Sequence, residues 1–184
     1  MARLPYLDAE QLPPEQRDLL KRPINLARLL VNAPGMARAF FGIGGYSRSK
    51  STLDTRLREL AILQVGWMEK SEYEFTHHVK IGKEFGVTDE DIKSLFLETE
   101  GKPSTLDPLA KLVLKGAREM VRDIGMSDTT FAEIKKHLSN EHMTDLVLTI
   151  AFYCGVVRVL ATMKIDNEPQ YKEVLKQYPI PGVI

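Results

Sequence analysis

The stretch DTRLRELAILQVGWMEKSEYEFTHHVKIGKEFG, residues 54–86, decides the fold. Asp54 is a helix cap, and Leu57, Leu60, Ala61 and Ile62 follow it at helical spacing, on to Trp67. Met68-Glu69-Lys70 reads as a turn, and Ser71 opens a second helix that runs to Phe85 and stops at Gly86. Two apolar helices joined this tightly fold back on each other as an antiparallel hairpin. The same stretch carries the polar residues worth weighing for chemistry, between Glu59 and His78.

Outward from the hairpin the punctuation stays helical. Pro13-Pro14 opens a short polar helix, Glu15 to Lys21, and Pro23 and Pro34 bracket an apolar segment with Leu26, Leu29 and Leu30. Met36 to Phe41 reads as a helix that Gly42, Gly44 and Gly45 end. Downstream, Thr88 with Asp91 resembles a capping box that introduces Asp89 to Leu97, and Thr99 to Leu106 is a loop. Asp107-Pro108 starts a helix that ends before Gly125; Ser127 caps another, to about His137. A last long helix spans about Asn140 to Lys164. No alternating run bounded by hairpin turns is present. The expectation is an all-α bundle of about seven or eight helices. An N-terminal arm, residues 1–32, precedes a helical domain, residues 33–184. The arm and the tail from Tyr178 through Pro181 to Gly182 are expected to be extended pieces packed on their neighbours.

Composition narrows the function classes. The 184 residues suit one domain, and 25 basic against 25 acidic side chains, with no Lys/Arg run above two, give no footprint for nucleic acid or an anionic membrane. The N-terminus lacks the apolar segment of a secretory signal. Leu146 to Val157 is uncharged for about a dozen residues, short of the roughly 20 that cross a bilayer. Cys154, the single cysteine, forms no intrachain disulfide and fits a reducing, cytoplasmic setting. The helix from Leu146 to Met163 is apolar nearly all round, which points to burial on all sides and so to a homo-oligomer.

Glu74 and His78 stand at i and i+4 on one helix face, and register across the turn puts Glu59 opposite His78. Two carboxylates and an imidazole between apolar helices are the ingredients of a proton-transfer site. His78, Glu74 and Glu59 are therefore the candidate catalytic residues. Ser71, Tyr73, His77 and Trp67, their neighbours in the sequence, are the candidate substrate contacts. Plainer readings stand beside these: Ser71 and Glu74 as a capping box, Glu59 paired with Arg56 or Arg58, and Trp67 and Tyr73 as packing. No zinc-type HExxH, phosphate loop or dinucleotide fingerprint is present, and no cofactor is expected. Adjacent His77 and His78 point apart, which argues against a multi-histidine metal site, though a metal on Glu59, Glu74 and His78 stays open as an alternative.

Arg58-Glu59-Leu60-Ala61-Ile62-Leu63, followed by Ser71-Glu72-Tyr73-Glu74-Phe75-Thr76-His77-His78, resembles the core of the carboxymuconolactone decarboxylase and AhpD-like family. Gly86 to Ile92 and Ala151 to Val156 extend the likeness, which covers roughly residues 50 to 160. The resemblance implies an AhpD-like all-α fold, assembled as a trimer or hexamer. In the AhpD branch a glutamate precedes Cys-x-x-Cys-x-x-x-His; here the glutamate is Glu59, the histidine His78, and the cysteines are replaced by Ser71 and Glu74. Neither replacement supports thiol chemistry, so dithiol peroxidase activity is not expected. The decarboxylase branch keeps Glu-x-x-x-His, matching Glu74 and His78. That implies a non-redox lyase or isomerase acting on a small carboxylated metabolite. His78 would be the proton donor, Glu74 its partner and Glu59 the group orienting the imidazole, with a cation for the substrate among Arg56, Arg58 and Arg158. A catalytically silent oligomer and a metal-dependent variant are the alternatives.

Overall fold

A computed structural model describes residues 1–180, and among them every regular element is helical. The α-helices are α1 (Asn25–Leu30), α2 (Pro34–Ser49), α3 (Thr55–Met68), α4 (Glu72–Glu84), α5 (Asp89–Thr99), α6 (Pro108–Asp123), α7 (Asp128–Lys135), α8 (Asn140–Met163) and α9 (Lys172–Gln177). Short 3-10 turns at Ala9–Gln11, Pro14–Leu20 and Pro169–Tyr171 complete the chain. Side-chain caps start the central helices where the sequence places them: Asp54 for α3, Ser71 for α4, Thr88 for α5, Asp107 for α6 and Ser127 for α7.

The axis of the bundle is α3, whose residues Leu57 to Gly66 are all buried. It packs on α4, α6 and α8, so it has no solvent stripe, and its polar members Arg58, Glu59 and Gln64 are enclosed with the apolar ones. The α3–α4 hairpin is tight at Gly66, where a Cβ would stand 3.1 Å from the Phe75 backbone nitrogen. Glycine lets the two backbones touch, and that contact sets the register that brings Glu59 and His78 together.

Three expectations are corrected. The helix expected to stop at Gly42 runs on to Ser49 as α2. Glycine in a helix costs only about 1 kcal/mol, and tertiary contacts outweigh that. Ser47 meets Thr149 of α8 at 3.2 Å, and its carbonyl accepts from Arg58 of α3 at 3.1 Å. The helix that carries the uncharged run Leu146 to Val157 is longer than that run: α8 has 24 residues and a mean hydropathy of 2.0 over its most apolar part, long and apolar enough by composition to cross a membrane. One side of α8 packs on α3 and α6, while Leu148 on another is 60% exposed. Finally, the N-terminal arm is not extended, since Ala9–Gln11, Pro14–Leu20 and α1 fold within it. The tail from Tyr178 to Ile180 packs on its neighbours without regular structure, as expected. Pro169–Tyr171 and α9 dock against α4, and Tyr178 and Ile180 are buried in the core; Pro181 and Gly182 lie outside the described residues.

Residues 1–32 form a folded flank. Leu12, Leu19, Leu20, Ala27 and Val31 make a small second core with Ala37 of α2, while Leu26 and Leu29 enter the main core.

Candidate functional site

Arg58, Glu59, His78 and Glu74 form a continuous buried chain of charge, each at most 4% exposed. Arg58 donates through Nε and Nη2 to Glu59 Oε1 at 2.9 and 2.8 Å. Glu59 Oε2 lies 2.6 Å from His78 Nδ1, and His78 Nε2 lies 2.9 Å from Glu74 Oε1. Carboxylate oxygens only accept hydrogen bonds, so the imidazole that fits between them carries a proton on both nitrogens. Burial works against that charge, but the Glu59 carboxylate, with Glu74 behind it, outweighs burial and lifts His78 to about 9. For Glu59, burial pushes up, yet the imidazolium and the Arg58 guanidinium leave its carboxyl below the ordinary range.

The capping-box reading of Glu74 is only half present. Ser71 accepts from the Glu74 N–H at 3.4 Å, as a cap should. The Glu74 side chain, however, points along the helix to His78 instead of back to the cap, because the imidazolium one turn on is the stronger partner.

Glu74 and His78 line a cavity of about 450 Å³. Its walls are Phe40 and Phe41 of α2, Phe152 and Tyr153 of α8, and the flank from Asp18 to Ala27. Three glycines of α2, Gly42, Gly44 and Gly45, also line it; a Cβ on Gly42 or Gly45 would meet nothing within 4 Å, and one on Gly44 only Phe152 at 3.9 Å. The glycines expected to break the helix thus form part of the cavity wall.

The other candidate residues separate. His77 and Tyr73 line the cavity. The His77 ring is sandwiched between Tyr73 and Tyr171, at centroid distances of 4.0 and 3.7 Å. Its Nδ1 donates to the Tyr73 carbonyl at 2.7 Å. Nε2 stands 3.0 Å from Glu168 Oε2, at ion-pair distance but out of line for a hydrogen bond. Glu168 also accepts from the Asn25 N–H at 2.6 Å and the Tyr73 hydroxyl at 3.1 Å. Burial raises its carboxyl, but His77 and the Asn25 N–H prevail and hold it at about 2. Ser71 is taken up by the cap, and Trp67 stacks on Phe96 at 4.0 Å; neither lines the cavity.

The cations are placed differently from expectation. Arg56 bridges Asp91 and Asp107, Arg58 is buried against Glu59, and Arg158 pairs with Glu69. The cavity instead holds Lys21, Arg22, Arg38 and Arg48, all on elements that precede the hairpin. Arg38 is engaged by Asp18 at 2.8 Å, and no carboxylate among the described residues pairs with Lys21, Arg22 or Arg48. Sequence spacing carried no signal for these, since only the fold brings α2 beside α4. Among the described residues, no group of three or more His, Cys, Asp or Glu is arranged to hold a metal ion.

Residues 34–100, from α2 through α5, match the carboxymuconolactone decarboxylase family. No curated protein matches the sequence. Among solved structures, the fold is similar to the AhpD core of an uncharacterized peroxidase-related protein from Ralstonia eutropha JMP134, with TM-score 0.77 and 18% identity over 92% of this chain and 94% of that one. A peroxidase-related protein from Silicibacter sp. TM1040 gives TM-score 0.74 at 17% identity, over 92% of each chain. A Cys-to-Ala variant of the debrominase Bmp8, in complex with 2,3,4-tribromopyrrole, gives 0.76 at 16% identity, over 96% of this chain and 99% of that one. These likenesses establish an AhpD-like all-α fold.

Proposed function

With its 34–100 segment assigned to the carboxymuconolactone decarboxylase and AhpD-like family, we propose that this chain is a non-redox acid–base enzyme acting on a small, carboxylated, ring-sized metabolite. The observation that carries the reading is that both nitrogens of His78 are occupied, one by Glu59 and the other by Glu74 at the cavity wall. Glu74 is then the group that meets substrate. His78 stands behind it as the proton reservoir, and Glu59, fixed by Arg58, orients and charges the imidazole.

In a decarboxylation, the C–C bond to the carboxylate breaks, CO2 leaves, and the electron pair remains as an enolate whose oxygen carries the charge. Glu74, protonated from His78 Nε2, returns a proton to carbon, and His78 is reprotonated from water. In an isomerisation, Glu74 takes the proton from one carbon and returns it to another, with no net change in protonation. Dithiol chemistry has no place in this reading. Ser71 and Glu74 occupy the positions of the family's cysteine pair, and burial in α8 pushes the Cys154 thiol up, away from thiolate.

Several features support the class of substrate. The unpaired cations at the cavity suit a carboxylate, and its aromatic walls suit a flat ring. Bmp8, of the same fold, is in complex with a tribromopyrrole, a ring of that scale. The uncovered apolar side chains Met36, Ile43 and Leu148 fit burial against further copies of the chain, as a trimer or hexamer. Light scattering on purified protein checks the assembly.

The test of function is to follow CO2 release and deuterium uptake from heavy water with 4-carboxymuconolactone and related ring acids. Turnover that is lost in Glu74→Gln supports the reading. Turnover that is equal in wild type and Glu74→Gln refutes it.

A further inference from the structure

Among the polar side chains that line the cavity outside the Glu59–His78–Glu74 chain are Tyr153 and Arg48. Tyr153 of α8 is 6% exposed, and its ring packs edge-on against His78 at 4.9 Å. Arg48 lies in the last turn of α2 and lines the same cavity; its neighbour Ser47 meets Thr149, one turn before Tyr153, at 3.2 Å. The two residues come from helices far apart in sequence, yet both line the cavity that Glu74 and His78 line.

Charge balance gives this pair its meaning. Arg58 and the His78 imidazolium offset Glu59 and Glu74, so the buried chain is neutral as a whole. Arg48 is therefore an uncompensated positive charge at this end of the cavity, where no carboxylate among the described residues pairs with it. Beside it, a Cβ on Gly45 would meet nothing within 4 Å, and one on Gly44 only Phe152 at 3.9 Å. A flat molecule can thus approach the α2 backbone directly, one turn before the guanidinium.

We propose that Arg48 and the Tyr153 hydroxyl form an oxyanion site, which holds the enolate oxygen of a planar substrate while Glu74 moves the proton at carbon. The proposal rests on the acid–base reading of Glu74, and goes beyond it by assigning the groups that receive the developing charge. A buried hydroxyl donor held by packing, with a cation at the cavity rim, stabilises an oxyanion more than the neutral carbonyl it comes from. Burial, reinforced by the Glu74 and Glu59 carboxylates, pushes the Tyr153 hydroxyl above the usual phenol range, so it remains a donor.

The test uses 4-nitrophenol, a flat ring whose oxygen ionises with a visible change in absorbance and which undergoes no turnover. Wild-type protein is expected to bind the phenolate in preference to the phenol, so that the bound probe ionises at lower pH than in buffer. Tyr153→Phe, which keeps the packing ring, and Arg48→Gln, at an exposed position, should each weaken phenolate binding by about tenfold while phenol binding is unchanged. Circular dichroism of both variants verifies that they are folded. Wild type that binds phenolate no better than phenol, or variants that bind it as wild type does, overturns the proposal. Glu74→Gln separates the two readings: it should keep the phenolate preference while losing turnover. If it instead keeps turnover as well, the acid–base reading falls and the oxyanion site stands.

Discussion

His78 Nδ1 and Glu59 Oε2 stand 2.6 Å apart across the α3–α4 interface, joining two helices through a charged contact that excludes water. The contact ties stability to protonation. The folded state holds His78 at about 9, against an ordinary 6.5. A raised value means that the folded protein binds the proton more tightly than the unfolded chain does. This contribution is complete below 6.5 and is lost as pH climbs through about 9. Thermal denaturation between pH 6 and 10 should show a falling Tm across that window, and His78→Gln should flatten the fall. An equally steep fall in the variant would assign it to other groups.

Removing Glu59 separates orientation from chemistry. Glu59→Ala leaves Arg58 buried without its partner and should cost about 3–5 kcal/mol in urea denaturation. Glu59→Gln keeps the volume but removes the charge, so the His78 resonance should titrate closer to 6.5 by NMR. If His78 titrates in Glu59→Gln as in wild type, Glu59 is not what holds the imidazolium.

The hairpin and its polar trio were legible in the sequence because their information is local. Asp54 and Ser71 are caps at helix starts, and Glu74 and His78 are one turn apart on one helix. Register then carried Glu59 across a three-residue turn. The rest of the cavity was not legible, since Arg48 and Tyr153 are separated by more than a hundred residues and line one cavity only when α2 packs beside α8. The α2 glycines misled for a related reason: a helix-breaking signal in isolation becomes a cavity wall once α8 and α3 fix Ser47 at its far end. No local pattern announced Glu168, which acts through contacts to Asn25, Tyr73 and His77.

Glu168 makes the C-terminal region acid-labile. Its carboxyl is held at about 2 instead of 4.5, a lowered value, so its contribution is present above 4.5 and is lost as pH falls towards 2. The segment carrying Tyr171 and α9 should come loose in that range, read as faster proteolysis after Lys172 and Lys176 by an acid-tolerant protease. Glu168→Gln should show the same susceptibility already at neutral pH. Cleavage rates independent of both pH and this substitution would show that the apolar contacts of Val174 and Tyr178 hold the segment alone.

Two glycine-to-alanine substitutions should move stability in opposite directions, and for reasons that the fold alone supplies. At Gly66 the new methyl would stand 3.1 Å from the Phe75 nitrogen and 3.2 Å from its Cα, and backbone cannot yield as a side chain does. The hairpin must open slightly, at a cost of about 1–3 kcal/mol, and Glu59 and His78 separate with it. At Gly45 the new methyl meets nothing within 4 Å, and α2 gains a better helix former. Gly45→Ala should therefore stabilise by about 0.5–1 kcal/mol. Chemical denaturation of the two variants measures both shifts. The cavity reading adds a second arm: Gly45→Leu projects its side chain towards the space that a ring ligand would occupy. It should abolish binding of a flat acid while leaving the protein at least as stable as wild type. A Gly45→Leu protein that binds such ligands unchanged would mean that the recess beside α2 is not where they lie, whatever Glu74 does.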